Sequence, residues 1–271
     1  MTQADRITTN HLGKPIAIGG TSEIYDWEPG WVLKLYFDRF GPRMADYERR
    51  IAAAICATGL PVPAVGEIVH VDGRVGLLYQ KCAGMQMGDD LARHPWRLVS
   101  YASTLAKLHA KMHNQPIQAD VPRLRHSLEI KIRDAKSLPE NLRAAALKAL
   151  ETMPDGDRLC HGDFHLGNVI PGQPEPVIID WIDASIGNPL ADVARTSILA
   201  QGMVEAEPQF SRFQRLGLRL MHTTYLHRYF QLRSGGYDEY CRWLPIVAAA
   251  RLNENVPAWD GWLLKQASEL L

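Results

Sequence analysis

The 271-residue chain has no net charge, because thirty Lys and Arg balance thirty Asp and Glu. That balance gives no bulk attraction to nucleic acid or to an anionic membrane, and a small-molecule partner fits it better. No apolar run approaches the roughly 18–20 residues that span a bilayer, and neither repeats nor low-complexity segments are present. Cysteine is scarce. Cys56, Cys82, Cys160 and Cys241 stand apart without the C-x-x-C spacing of a zinc or redox site. The opening Met1-Thr-Gln-Ala-Asp-Arg6 has no apolar signal core, so a reducing cytoplasm is the expected setting. With 46% hydrophobic and 22% charged residues, what remains is an ordinary globular composition, long enough for two lobes with cores of their own.

The chemistry concentrates in Arg158-Leu-Cys-His-Gly-Asp-Phe-His-Leu-Gly-Asn-Val-Ile170 and Val177-Ile-Ile-Asp-Trp181. Asp163, Asn168 and Asp180 bring three oxygen-bearing side chains between two short apolar runs. Two carboxylates and one amide suit magnesium, which takes few protein ligands and shares substrate phosphates, better than they suit zinc. Phosphoryl transfer needs this set: one Asp receives the proton of the attacking hydroxyl, while an Asn and a second Asp hold metal. Asp163 and Asn168 are five apart, as in the kinase catalytic loop, and Asp180 closes an apolar run as the metal-binding Asp of D-F-G does.

On these residues the chain resembles the aminoglycoside phosphotransferase family, which is itself similar to choline, homoserine and fructosamine kinases. The family's His-Gly-Asp-x-His-x-x-Asn is here His161 to Asn168, its Ile-Asp-Trp is Ile179 to Trp181, and its Gly-x-Pro-x-x-Asp is Gly187 to Asp192. Leu166 stands where relatives often have Pro, and Ile182 where many have Glu. The resemblance implies a two-lobed, protein-kinase-like α+β fold that uses ATP and magnesium to phosphorylate a hydroxyl of a small molecule. Asp163 would be the catalytic base or orienter of the acceptor, and Asn168 and Asp180 the magnesium ligands. His161, Gly162, Asp192 and Arg195 are expected to shape the loop by hydrogen bonds. His165 stays open between phosphate contact and loop support.

Residues 1–80 are expected to form the N-lobe, 81–84 a hinge and 85–271 a helical C-lobe. Five candidate strands, Pro15–Ile18, Glu23–Trp27, Trp31–Phe37, Val65–Val71 and Arg74–Gln80, are separated by turn signals such as Asp72-Gly73. Met44, Tyr47, Ile51 and Ile55 mark a helix inserted after the third strand, closed by Gly59-Leu-Pro61. Gly19, Gly20, Thr21 and Ser22 form a turn with no Cβ at Gly19 or Gly20, which lets backbone N–H groups approach phosphates; the pattern alone fits any two-Gly hairpin. Its place in the resemblance makes it the nucleotide loop. In the same frame Lys34 would meet the α/β-phosphates, Glu48 would orient it, and backbone near Gln80 and Cys82 would meet adenine.

Beyond residue 95 the period is helical. Leu98, Tyr101, Leu105, Leu108 and Met112 read as core, as do Leu142, Ala145 and Ala149, and later Phe213, Leu216, Leu220, Tyr225 and Phe230. His109 and His113 are four apart, but without an H-E-x-x-H pattern or a nearby Cys they read as solvated or capping histidines rather than metal ligands. Ile182–Leu190 is too short for the activation segment of a protein kinase and lacks Ala-Pro-Glu, so protein substrates are not expected. The rival reading is a nucleotide-binding scaffold without catalysis, for which a base at Asp163 would serve no purpose. Oligomeric state is left open.

Charge bears on the acceptor. Between Asp120 and Arg158 seven Asp and Glu face eight Lys and Arg, and from Glu205 onward the counts are again seven and eight. A site selective for polycations calls for a local acidic excess, and none is visible. The expected acceptor is therefore a neutral or weakly charged metabolite, with kanamycin-dependent ADP release weak or absent; a kcat/KM in the range of about 10⁴–10⁸ M⁻¹s⁻¹ would contradict the charge reading.

Overall fold

The computed structural model describes residues 12–114, 120–172 and 174–271; the N-terminal hexapeptide read above lies outside them. The chain divides into two compact units. One holds the described residues up to Met85 together with Ile170–Ile182, and the other holds those of Gln86–Val169 and Asp183–Leu271.

The first unit is built on a five-stranded antiparallel sheet of β1 (Ala17–Ile18), β2 (Ser22–Asp26), β3 (Trp31–Tyr36), β4 (Val65–Val71) and β5 (Arg74–Gln80), in the order β1-β2-β3-β5-β4. Asp72 and Gly73, both at positive φ, join β4 to β5 in the tight reversal that the sequence signals. β1 is shorter than the expected Pro15–Ile18; Pro15 brings no N–H to a ladder. Alternation along β3 sorts its side chains. Leu33 and Leu35 pack with Tyr25 and Val71, while Tyr36 packs with Ala45, Val75 and Leu77. The helix Pro42–Cys56 opens on Pro at its first position and buries Ala45, Glu48, Ile51, Ala52 and Ile55, a stripe at spacings of three and four that places a carboxylate among apolar side chains. Ile170–Ile182, assigned to the C-lobe by sequence order, instead packs in this unit, where the Ile178 N–H donates to the Pro61 carbonyl at 2.8 Å.

The second unit is helical: Met87–Arg93, Leu98–His113, Leu124–Asp134, Glu140–Thr152, Pro189–Glu205, Arg212–Leu232, Tyr237–Arg251 and Pro257–Ala267. A short antiparallel pair, Arg158–Cys160 with Ser185–Gly187, runs among them. Pro189–Glu205 is its central member. Its start is fixed by the Asn188 side chain, which accepts the Leu190 N–H at 2.9 Å, and by Pro189 at the first position. From Ala191 to Ala200 every residue is buried, as befits a helix enclosed on all sides. Among the described residues no helix is long and apolar enough to cross a membrane.

Two expectations need correction. The stripe on Arg212–Leu232 is only partly core: Tyr225 is buried, but Phe213 is 87% exposed and Leu216 and Leu220 are exposed too, while Gly217 beside them faces Leu98, so this end packs through another face. In Glu140–Thr152 the buried set is Leu142, Ala146 and Leu150 rather than Ala145 and Ala149. An alanine-rich run marks a helical phase poorly.

Gly202 marks the closest packing of the central helix. A Cβ there would lie 2.2 Å from the Trp259 ring, well inside contact distance. Gly202→Ala gains about 1 kcal/mol of helix propensity, yet overpacking costs typically about 1–3 kcal/mol. A lower urea midpoint is expected, and a raised one would contradict this packing.

Candidate active site

In the second unit the loop after Arg158–Cys160 is fastened from below. The Asp192 carboxylate accepts the His161 N–H at 2.6 Å and the Gly162 N–H at 2.9 Å. Gly162 sits at φ +80, and a Cβ there would lie 2.5 Å from the Asp183 carbonyl oxygen, so the turn demands glycine. One helical turn after Asp192, Arg195 donates from Nε to the Gly162 carbonyl at 3.0 Å and from Nη2 to Asp163 Oδ1 at 3.1 Å. The Asp163 N–H donates to His161 Nδ1 at 3.2 Å. Asn168 closes the loop: its Nδ2 donates to the Asp163 carbonyl at 2.8 Å and lies 3.3 Å from Asp163 Oδ2. These bonds use the amide end of Asn168; a carbonyl oxygen is the kind of ligand that magnesium takes.

Burial would raise the Asp163 carboxyl, but the bond from His165 and the charge of Arg195 outweigh it and hold the group well below the usual carboxylate range. His165 accepts the Gly167 N–H at Nδ1 (3.0 Å) and turns Nε2 towards Asp163 Oδ2 (3.4 Å). Loop support thus has a geometry in these bonds.

His109 and His113 depart from expectation. Both are fully buried, not solvated or capping. His109 Nε2 lies 3.1 Å and His113 Nε2 3.3 Å from Asp192 Oδ2, and their Nδ1 atoms lie 2.6 and 2.7 Å from the Tyr225 and Tyr229 hydroxyls. The two rings and Asp192 are close enough to hold a metal ion, but protons account for every contact. An Nε2–H donating to Asp192 and an Nδ1 accepting a tyrosine O–H satisfy each ring. Burial and then the neighbouring His109 bring His113 down to about 3. Burial opposes the Asp192 charge, and the bonds from both histidines more than offset it.

In the first unit, Lys34 Nζ donates to Glu48 Oε1 at 2.7 Å and to Asp180 Oδ1 at 3.0 Å. Glu48 also accepts the hydroxyls of Tyr36 at 2.7 Å and Tyr79 at 2.8 Å, which the sequence reading did not find. Burial would discharge Lys34, but Asp180 and Glu48 outweigh it and raise its pKa. Asp180 stands at φ +61, in the left-handed region that Asp tolerates better than most residues. The Gly19–Ser22 turn closes with a bond from the Gly19 N–H to the Ser22 carbonyl at 2.9 Å, with Gly19 and Gly20 exposed. Near the expected hinge, the N–H groups of Gln80 and Lys81 are already given to the Ala64 and Gly30 carbonyls.

The model of the phosphotransferase enzyme family matches residues 14–259. No curated protein matches the chain by sequence. Among solved structures, an amicoumacin kinase in complex with AMP-PNP, Ca²⁺ and Ami is 12% identical, with a TM-score of 0.64 over 97% of this chain and 89% of that one. An aminoglycoside-3'-phosphotransferase of type VIII is 19% identical, with a TM-score of 0.61 over 90% and 91%. A choline kinase from Cryptosporidium parvum is 14% identical, with a TM-score of 0.57 over 95% and 89%. At these identities the likeness is one of fold.

The buried His113 generates a pH dependence. A histidine near 6.5 when unfolded and held down to about 3 when folded contributes stability that is full above pH 6.5 and lost as pH falls towards 3. His113→Gln keeps a donor to Asp192 without titrating. Stability of the parent should fall more steeply than that of the variant across this window, by up to about 1.4 kcal/mol per pH unit for one proton. Parallel urea-unfolding profiles would contradict a neutral buried His113.

Proposed function

Because the chain belongs to the phosphotransferase enzyme family, we propose that it transfers the γ-phosphoryl group of ATP, with magnesium, to a hydroxyl of a small molecule. The observation that carries this reading is the hold on Asp163: one carboxylate oxygen on Arg195, the other facing His165 and Asn168, on a loop tied by its backbone to Asp192. A surface aspartate needs no such frame.

Asn168 and Asp180 would hold magnesium, since the chemistry of an amide oxygen and a carboxylate fits that ion. Held there, it would supply charge neutralisation at the phosphates. Lys34, kept cationic by Glu48 and Asp180, is a point charge for phosphate oxygens. The exposed Gly19-Gly20 turn offers backbone to the phosphates, and Cys82 offers its N–H to adenine. Asp163 is a weak base, since Arg195 and His165 stabilise its charged form. That suits a loose transition state in which the acceptor proton leaves late. The acceptor oxygen bonds to the γ-phosphorus as the bond to the β-phosphate oxygen breaks, and the hydroxyl proton passes to Asp163. Orientation of the hydroxyl is its larger contribution.

Asp163→Asn preserves shape and removes the proton acceptor. Folding and nucleotide affinity should be nearly unchanged while ADP release falls by about 10²–10⁴-fold. Equal turnover in the variant would remove Asp163 from the reaction, and with it this reading of the loop.

A further inference from the structure

Beside Asp163 stands a group of charges that transfer to the hydroxyl does not itself require. Arg195 Nη2, bonded to Asp163, also lies 2.6 Å from Glu254 Oε1. The other Glu254 oxygen lies 2.5 Å from Arg251 Nη1. Arg251 is only 8% exposed, its guanidinium lies 4.3 Å from the centre of the Trp259 ring, and its Nε has no hydrogen-bond partner among the described residues. Trp259 is fixed in turn by its Nε1–H bond to Glu207 Oε1 at 2.7 Å.

Arg195 is paired with both Asp163 and Glu254, whereas Arg251 has a single Glu254 oxygen as its ion-pair partner among the described residues. Burial, followed by the charge of Arg195, lowers Arg251 to about 10 against the opposing charges of Glu254 and Asp163, which leaves it cationic at neutral pH. A buried donor without a partner is costly, and such groups are kept where something completes them. An ammonium ion arriving at Arg251 would meet a cation whose nearest carboxylate already accepts from a guanidinium on each oxygen. A carboxylate or phosphate would meet the planar fork of donors that reads such groups best.

We propose that the acceptor is an acidic hydroxylated small molecule whose carboxylate or phosphate is bound by Arg251 over the Trp259 ring while its hydroxyl meets Asp163. This deepens the kinase reading and rests on it, so the test keeps the two apart. Stabilisation by AMP-PNP with magnesium, measured as a thermal shift, reports on the kinase reading alone. With that complex formed, glycerate, gluconate and glycerol 3-phosphate are titrated against glycerol, glucose and glucosamine, and ADP release from ATP is measured with the same six. The acids should give saturable shifts and at least about tenfold higher kcat/KM, a difference of about 1.4 kcal/mol. A response to glycerate or gluconate identifies a carboxylate, and one to glycerol 3-phosphate identifies a phosphate. Arg251→Gln should raise the KM of the preferred acid at least tenfold with kcat little changed, and Arg251→Lys should recover part of the loss. Nucleotide stabilisation with no response to any acid, a preference for the neutral or cationic compounds, or an undiminished preference in Arg251→Gln would each overturn the proposal. Should Arg251→Gln fail to fold, the charge series on the parent protein decides.

Discussion

The Asp192 carboxylate holds the backbone N–H groups of His161 and Gly162, and the placement of Asp163 follows from that grip. A carboxylate buried this deeply is tolerable only if donors surround it. The second unit supplies them from three places: the loop backbone, the two histidines of Leu98–His113 and, behind those, two tyrosines of Arg212–Leu232. Because Asp192 lies in the first turn of Pro189–Glu205, the loop is anchored to a helix enclosed on all sides. Arg195, three residues on, returns to the same loop at Gly162 and Asp163.

Charge is handled the same way in the first unit. Lys34 sits on the side of β3 that faces Pro42–Cys56, where an unpaired ammonium would be discharged by burial. Glu48 and Asp180 keep it charged, and the Tyr36 and Tyr79 hydroxyls occupy the rest of the Glu48 carboxylate. Such a pair adds little net stability; its use is to hold a cation at a fixed point. Each unit thus fixes one charge by enclosing its partner.

Much of this was legible in the sequence because it depends on short-range spacing. The five-residue offset of Asp163 and Asn168 became a hydrogen bond, and Asp72-Gly73 became a hairpin turn. Glu48 was read next to an apolar helix face and is buried there. What escaped depends on pairing between distant segments. His109 and His113 share a four-residue spacing with Tyr225 and Tyr229, and the two helices bring these pairs together in step, but neither helix alone reports it. Alternation in β5 puts Tyr79 on the same side as Leu77, opposite Lys34, a signal that could have found it. Arg251, Glu254 and Trp259 lay where sequence reading had only helical character to work with. The segment Ile170–Ile182 was misassigned for a plainer reason: chain order does not reveal that a loop returns to the first unit.

Calorimetric titration with AMP-PNP, in the presence and absence of magnesium, tests the account at its centre. Saturable binding that needs magnesium in the parent chain, and is weakened by Lys34→Met and by Asp180→Ala, is the predicted result. No binding, or binding indifferent to magnesium and to both substitutions, would contradict it.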